Sequence, residues 1–260
     1  MFVIVGYILA IINLLVVIAM TTDTLKIYFD FHAFLCVGGG TIISVIIGFK
    51  PHGLKRIMTL YKIATKKEEN PKDLISEIVR VAKETRGEVN QKFLANYRSQ
   101  HFFLKDGLQL IADGFNEDQI VAIMSERIQA VELRYKEDEK FIKAVAKIPP
   151  SFGLMGTTIG LIALFAQVGT ADAMKKIGPA MAVAMTATLY GLLFAFAMLN
   201  PMIDRVIEMN AQNVKMREII LKGVIQLKGK NSPIYIEEVL KSYLSFAAQK
   251  TFAAKTGGGK

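Results

Sequence analysis

IPPSFGLMGTTIGLIALFAQVG (148–169), TADAMKKIG (170–178) and PAMAVAMTATLYGLLFAFAMLNP (179–201) read as two apolar helices joined by a short turn. Neither apolar run contains Asp, Glu, Lys, Arg or His, and each is long enough to cross a hydrocarbon core of about 30 Å. Gly153, Gly156, Gly160 and Ala163 recur at spacings of three and four, so they share one helical face. Ala180, Ala184 and Thr188 do the same on the second helix. Small faces let another backbone come close, and in lipid that packing replaces the missing hydrophobic drive between helices. The hairpin therefore reads as built to hold a partner helix. Thr157, Thr158, Thr186 and Thr188 add hydroxyls to otherwise oily surfaces.

Around this hairpin, 260 residues with 52% hydrophobic content describe a polytopic membrane protein with a sizeable polar part. The net charge of +9 invites a nucleic-acid reading, but its distribution argues against one. Of the 32 Lys and Arg residues, 19 lie in 50–147 and 10 in 202–260, with only Lys26, Lys175 and Lys176 elsewhere. That asymmetry is the positive-inside pattern and puts both large polar segments in the cytoplasm. The lone Cys36 sits in an apolar run and excludes an internal disulfide. No basic region precedes the first apolar run, which reads as a retained span and not a signal peptide.

The expected fold is all-α with four transmembrane helices and a helical cytoplasmic domain. Residues 1–50 hold spans one and two, and 51–147 the cytoplasmic helices. Residues 148–203 hold spans three and four, and 204–260 further helices and a tail. In the second span, Gly38, Gly39 and Gly40 predict a close helix contact or a local kink, unless they are merely tolerated, since each costs about 1 kcal/mol of helix propensity relative to Ala. After Lys50-Pro51, Leu54, Ile57, Met58 and Tyr61 form a stripe suited to a membrane surface or to neighbouring helices. Helices follow over about 72–86, 90–99 and 103–112, the last closed by Asp113-Gly114. Asn116 reads as the N-cap of one long helix running to a kink at Pro149-Pro150. Another helix follows Asp204, broken at Asn231-Ser232-Pro233, and the terminal KTGGGK reads as a tail.

His32, His52 and His101 lie far apart, no phosphate-binding loop is present, and no nucleophile–base set can assemble, so the reading is not an enzyme and needs no cofactor. Ion relays through a bilayer usually require an intramembrane carboxylate or His, and the four spans have none. Either the protein moves no ion, or the titrating group comes from another chain. The Thr cluster suits the second outcome, because hydroxyls can ligate a partly dehydrated cation; each Thr could instead bond its own carbonyl four residues back.

At these residues the chain resembles the MotA/PomA flagellar stator family. The match runs through PPSFGLMGTTIGL (149–161), IGPAMAVAMTATLYGLL (177–193) and LNP (199–201), supported by FLCVGGGTI (34–42) and FFLKDGLQLIADG (102–114). The resemblance implies a ring of five such subunits around two MotB/PomB-type chains in the bacterial inner membrane, both termini cytoplasmic. Each partner chain brings one membrane Asp that binds the transported Na+ or H+. It implies coupling roles for Pro150 and Pro201, and ion-path roles for Thr157 and Thr188, with Thr158 and Thr186 beside them. Thr at both positions is typical of sodium-driven members, although Ala187 replaces the first Thr of the family's TTLYG stretch. Gly153, Gly156, Gly160, Ala180, Ala184, Tyr190 and Gly191 are expected to pack on the partner helix. The family's rotor-facing charges, which pair with a FliG-type rotor protein, fall in AKETRGEVNQKFLANYRS (82–99). Arg86 fits, the LE of the family pattern is missing, and Lys83, Glu84 and Glu88 are the available charges. Neutralising the partner's Asp would let that helix turn to face the next subunit. An ExbB/TolQ-type energiser is the runner-up within the superfamily, and a secondary transporter or passive scaffold outside it.

Overall fold

Length and apolar content sort the chain into helices, and every regular element among the described residues is helical. The computed structural model describes residues 2–21, 28–49, 52–85, 88–99, 101–169, 173–244 and 249. The expectations at Lys50-Pro51, at Arg86 and for the KTGGGK tail lie outside the described residues. The contacts divide the chain into two units, Met1–Lys66 with Lys136–Met209, and Lys67–Tyr135 with Asn210–Lys260.

The first unit holds the apolar helices. Helix α1 is Phe2–Thr21. Helices α2 (Phe31–Phe34) and α3 (Gly40–Phe49) are joined by a π-helical turn, Leu35–Gly39. The glycine triplet thus appears as a widened turn, one of the ways a helix departs from a straight axis. Gly40 also makes the close contact: a Cβ there would overlap the Phe152 ring, whereas Gly38 and Gly39 meet only their own helix. Asp30 caps this span by accepting from the Ala33 N–H at 2.7 Å. Three helical stretches, Phe31–Phe49, Glu117–Phe165 and Ile177–Lys228, are long and apolar enough to cross a membrane; the apolar stretch Val5–Thr21 is shorter.

Helix α4 is His52–Thr65. Its buried face carries Gly53, Leu60 and Ala64, with Leu54 and Ile57 partly covered, while Met58 and Tyr61 stay exposed. Leu60 and Ala64 pack with Phe141, Ile142 and Val145, and with Met202, Ile203 and Val206. Arg56 pins the contact, pairing with Asp138 at 2.7 Å while its guanidinium lies 4.8 Å from the centre of the Phe141 ring.

The second unit is a polar-surfaced bundle. It contains α5 (Pro71–Thr85), α6 (Gln91–Asn96), α7 (Phe102–Ala112) and α12 (Pro233–Lys241). It also holds the outer parts of α8 (Glu117–Ala146) and α11 (Asn200–Lys228). Leu74, Ile75, Ile78, Leu104, Leu108, Ile120, Met124, Ile219 and Leu227 are fully buried in one core, each worth roughly 1.5–3 kcal/mol of burial. Helix α6 is shorter than its sequence suggests, because Tyr97 is extended and its hydroxyl donates to Glu77 at 2.7 Å. Burial, then the Glu77 carboxylate, push the Tyr97 hydroxyl up from its ordinary pKa, so it stays a donor.

Helix α7 closes at Gly114 (φ 88°): the Phe115 N–H reaches the Leu110 carbonyl and the Gly114 N–H the Ile111 carbonyl. Asn116 then caps α8, accepting from the Gln119 N–H at 2.8 Å while Gln119 accepts from the Asn116 N–H at 3.1 Å. Helix α8 ends at Ala146, one residue separates it from α9 (Ile148–Phe165), and the expected break thus falls just ahead of Pro149-Pro150.

Candidate functional site

Helix α9 and helix α10 (Ala173–Leu192) meet along their small-residue faces. A Cβ on Gly156 would lie 2.6 Å from the Ala187 Cβ, and one on Gly160 would lie 2.6 Å from the Ala184 Cβ. At Gly153 the added atom would meet the Ala187 carbonyl at 3.0 Å and the Thr188 Cα at 3.2 Å. A Cβ on Gly191 would lie 2.7 Å from the Pro149 carbonyl oxygen and 3.2 Å from the Pro150 Cα, and one on Gly160 would lie 3.4 Å from the Ala180 carbonyl oxygen. Within this chain Gly153, Gly156, Gly160, Ala180, Ala184 and Gly191, expected to pack on a partner helix, bring the two helices of the hairpin together. Tyr190 is also engaged within the chain, donating to the Tyr28 carbonyl at 2.5 Å and accepting from the Asp30 N–H at 3.2 Å.

The same seam carries the hydroxyls. Thr157 lies one turn from Gly153, and Thr188 one turn from Ala184, so both side chains enter the seam. Their hydroxyls share a hydrogen bond across it. Thr157 Oγ1 is also 3.1 Å from the Gly153 carbonyl oxygen and 3.0 Å from that of Ala184, and Thr188 Oγ1 is 3.4 Å from that of Gly153. Four oxygens converge with two hydroxyl protons among them, so lone pairs are in excess. That is the donor set for a hard cation. Thr158 and Thr186 do not join it. Thr158 is exposed and bonds the Leu154 carbonyl at 3.0 Å, and Thr186 is buried and bonds the Ala182 carbonyl at 2.8 Å. Both follow the alternative open to any helical Thr.

Sequence reasoning did not foresee the two carbonyl oxygens, because Gly153 and Ala184 advertise nothing through their side chains. Ala187 shows in the sequence only as a departure from the TTLYG stretch. In the structure Ala187 is buried, with its methyl directly over Gly156, where a larger residue would force the helices apart. Cys36 borders the same place, its thiol 3.7 Å from the Phe152 carbonyl.

The two prolines stand at the ends of the hairpin. Pro150 packs beside Gly191. Pro201 is exposed and begins just after a π-helical run, Leu193–Leu199, in which the Asn200 N–H reaches back to Ala195. Proline has no N–H for the carbonyl four residues back and clashes with it, so a widened turn ahead of Pro201 relieves the conflict at Ala197. Among the rotor-facing candidates, Lys83 is exposed, Glu84 pairs with Arg80 at 3.8 Å and Glu88 pairs with Lys230 at 3.3 Å. Arg86 lies outside the described residues. No group of three or more His, Cys, Asp or Glu that could hold a metal ion occurs among the described residues.

Helices α9 and α10 thus carry no carboxylate of their own, meet through glycine and are lined by two hydroxyls. The family model described as the MotA/TolQ/ExbB proton channel family matches residues 95–247. The chain belongs to this family. Chemotaxis protein PomA of Vibrio alginolyticus is 30% identical over 88% of this chain and 90% of its own length. Motility protein A of Bacillus subtilis (strain 168) is 28% identical over 96% of this chain and 92% of its own. The solved flagellar MotAB stator complex from Bacillus subtilis contains a chain that superposes with a TM-score of 0.84 at 27% identity, covering 96% of this chain and 98% of that one. As a MotA/TolQ/ExbB family member the chain is a multi-pass membrane protein of an ion-channel family, and the seam between α9 and α10 is its candidate ion-facing element.

Proposed function

We propose that this chain is the ring-forming subunit of a flagellar stator that carries Na+ in preference to H+. It crosses the inner membrane four times with both termini in the cytoplasm, α1 being the first crossing. Five copies surround two MotB/PomB-type single-span chains, each of which supplies the membrane carboxylate. The similarity to PomA and to the MotAB complex supports the assembly. The convergence of the Thr157 and Thr188 hydroxyls with the Gly153 and Ala184 carbonyls carries the choice of ion. A proton needs one basic lone pair, whereas a partly dehydrated Na+ needs several oxygens at once.

The small faces are closed within the hairpin, so the partner helix lies over exposed apolar residues of α9 and α10, including Leu154, Ile162, Met181 and Met185. Binding of the ion neutralises the partner's Asp, whose charge is costly in an apolar site, and the partner turns to the next subunit. Each charge moved releases about 2.3 kcal/mol per 100 mV of membrane potential. Pro150 and Pro201 pass the movement to the polar helices. Lys83, Glu84, Arg86 and Glu88 are the charges offered to a FliG-type rotor protein.

Swimming speed measured against external Na+ at fixed pH tests the reading. A stator of this kind slows as Na+ is withdrawn and recovers on its return, while a speed that follows pH and ignores Na+ assigns the proton instead. Purification of the partner separates the flagellar assignment from an ExbB/TolQ-type role.

A further inference from the structure

A cleft of about 690 Å³ opens between α1 and the end of the fourth apolar stretch. Gly6, Ala10, Phe196 and Ala197 line it with apolar surface, and Asp204, Arg205 and Glu208 close one end. Its opening follows from the sequence. Gly6 contributes no side chain, and a Cβ built there would meet nothing within 4 Å. Helix α1 is held to the cleft floor by the Tyr7 hydroxyl, which donates to the Met198 carbonyl at 2.8 Å. The charged end lies where the apolar run 177–203 stops and ionisable residues resume at Asp204. In a membrane-spanning helix, such a change from apolar to ionisable residues marks the headgroup region.

We infer that this cleft binds one phospholipid with a primary ammonium headgroup, phosphatidylethanolamine in chemical class, with the upper part of an acyl chain against Ala10, Phe196 and Ala197. Charge selects this class. Two carboxylates and one guanidinium line this end: Arg205 pairs with Glu208 at 2.7 Å, and Asp204 forms no ion pair among the described residues. An ammonium supplies the missing positive charge and three N–H donors, and the phosphate meets the Arg205 fork. An anionic headgroup would leave the acids unmatched, and a choline headgroup has no N–H to give. Size points the same way. A helix about 10 Å across would fill 690 Å³ with about 9 Å of its length, roughly six residues. A headgroup with part of a chain fits the range of about 300–1,000 Å³ typical of small-molecule sites. The cleft includes Pro201 and adjoins the π-helical run, so an occupant would bear on the segment that ends the span. This inference does not depend on which ion the protein carries.

The full-length protein, purified with its partner, is exchanged into detergent containing phosphatidylethanolamine, phosphatidylcholine or phosphatidylglycerol of one acyl composition, and retained lipid is counted by native mass spectrometry. Retention of the ethanolamine lipid is expected to exceed that of the other two about fivefold or more. Asp204→Asn, at an exposed residue, brings the ethanolamine and choline lipids close to parity. Ala10→Phe abolishes retention while the oligomer stays intact. Equal retention of all three lipids by the unaltered protein overturns the proposal. So does an Ala10→Phe variant that keeps its lipid but loses its oligomer, since the cleft would then be occupied by a second copy of the chain.

Discussion

A threonine in an oily helix can always bond the carbonyl four residues behind it, and this chain does so at Thr41, Thr158 and Thr186. Thr157 and Thr188 differ because helical rotation turns them into the glycine–alanine seam, where each meets the other and a carbonyl of the opposite helix or its own. Thr157→Val or Thr188→Val is therefore expected to cut sodium-dependent swimming speed severely at unchanged membrane levels. Thr158→Val should swim normally, and tethered-cell speeds with immunoblots would compare the three. The four hydroxyls were equally visible in the sequence. What separates them, a rotation of about 100° between neighbours on a helix, was also legible, because 157 keeps step with 153 and 160 whereas 158 does not. The carbonyl oxygens were not legible, since backbone acceptors become a site only through the partner they happen to face.

Helix positions were read from the sequence far better than helix faces. On α4, Leu54, Ile57, Met58 and Tyr61 satisfy the spacing of a buried stripe as well as Gly53, Ile57, Leu60 and Ala64 do. The second set is buried because a small-edged face fits against Phe141 and Val145, a matter of shape that periodicity does not record. The hairpin illustrates the same limit: small residues announced a close approach without naming the partner, which is the adjacent helix. Gly156→Val would drive a side chain into Ala187, and overpacking of this kind costs about 1–3 kcal/mol. The expected result is a lower unfolding temperature of the detergent-solubilised complex. Pro201→Ala restores an N–H after the π-helical run and lets the helix return to α pitch. Assembly should persist while torque falls, a split that co-purification and bead-assay measurements resolve.

Two units of opposite surface character make up the molecule, and each has a separate core. Leu108→Ala empties a fully buried site in the polar unit and should cost about 2–5 kcal/mol, seen as earlier proteolysis of residues 67–135. The proposed partner contact uses exposed apolar side chains of the hairpin such as Met185. Met185→Trp is expected to reduce co-purification of the partner without altering the abundance of this chain. The overall architecture was legible because spans and basic segments alternate clearly; the partner's docking face was not, because a lone chain exposes lipid-facing and protein-facing side chains alike. At Gly156–Ala187 and Gly160–Ala184, where α9 and α10 come closest, glycine meets a methyl group and no rotatable side chain lies between. A layer of leucines would absorb a small displacement by changing rotamers. This crossing has no such cushion, so a push delivered to either helix arrives at the other undiminished.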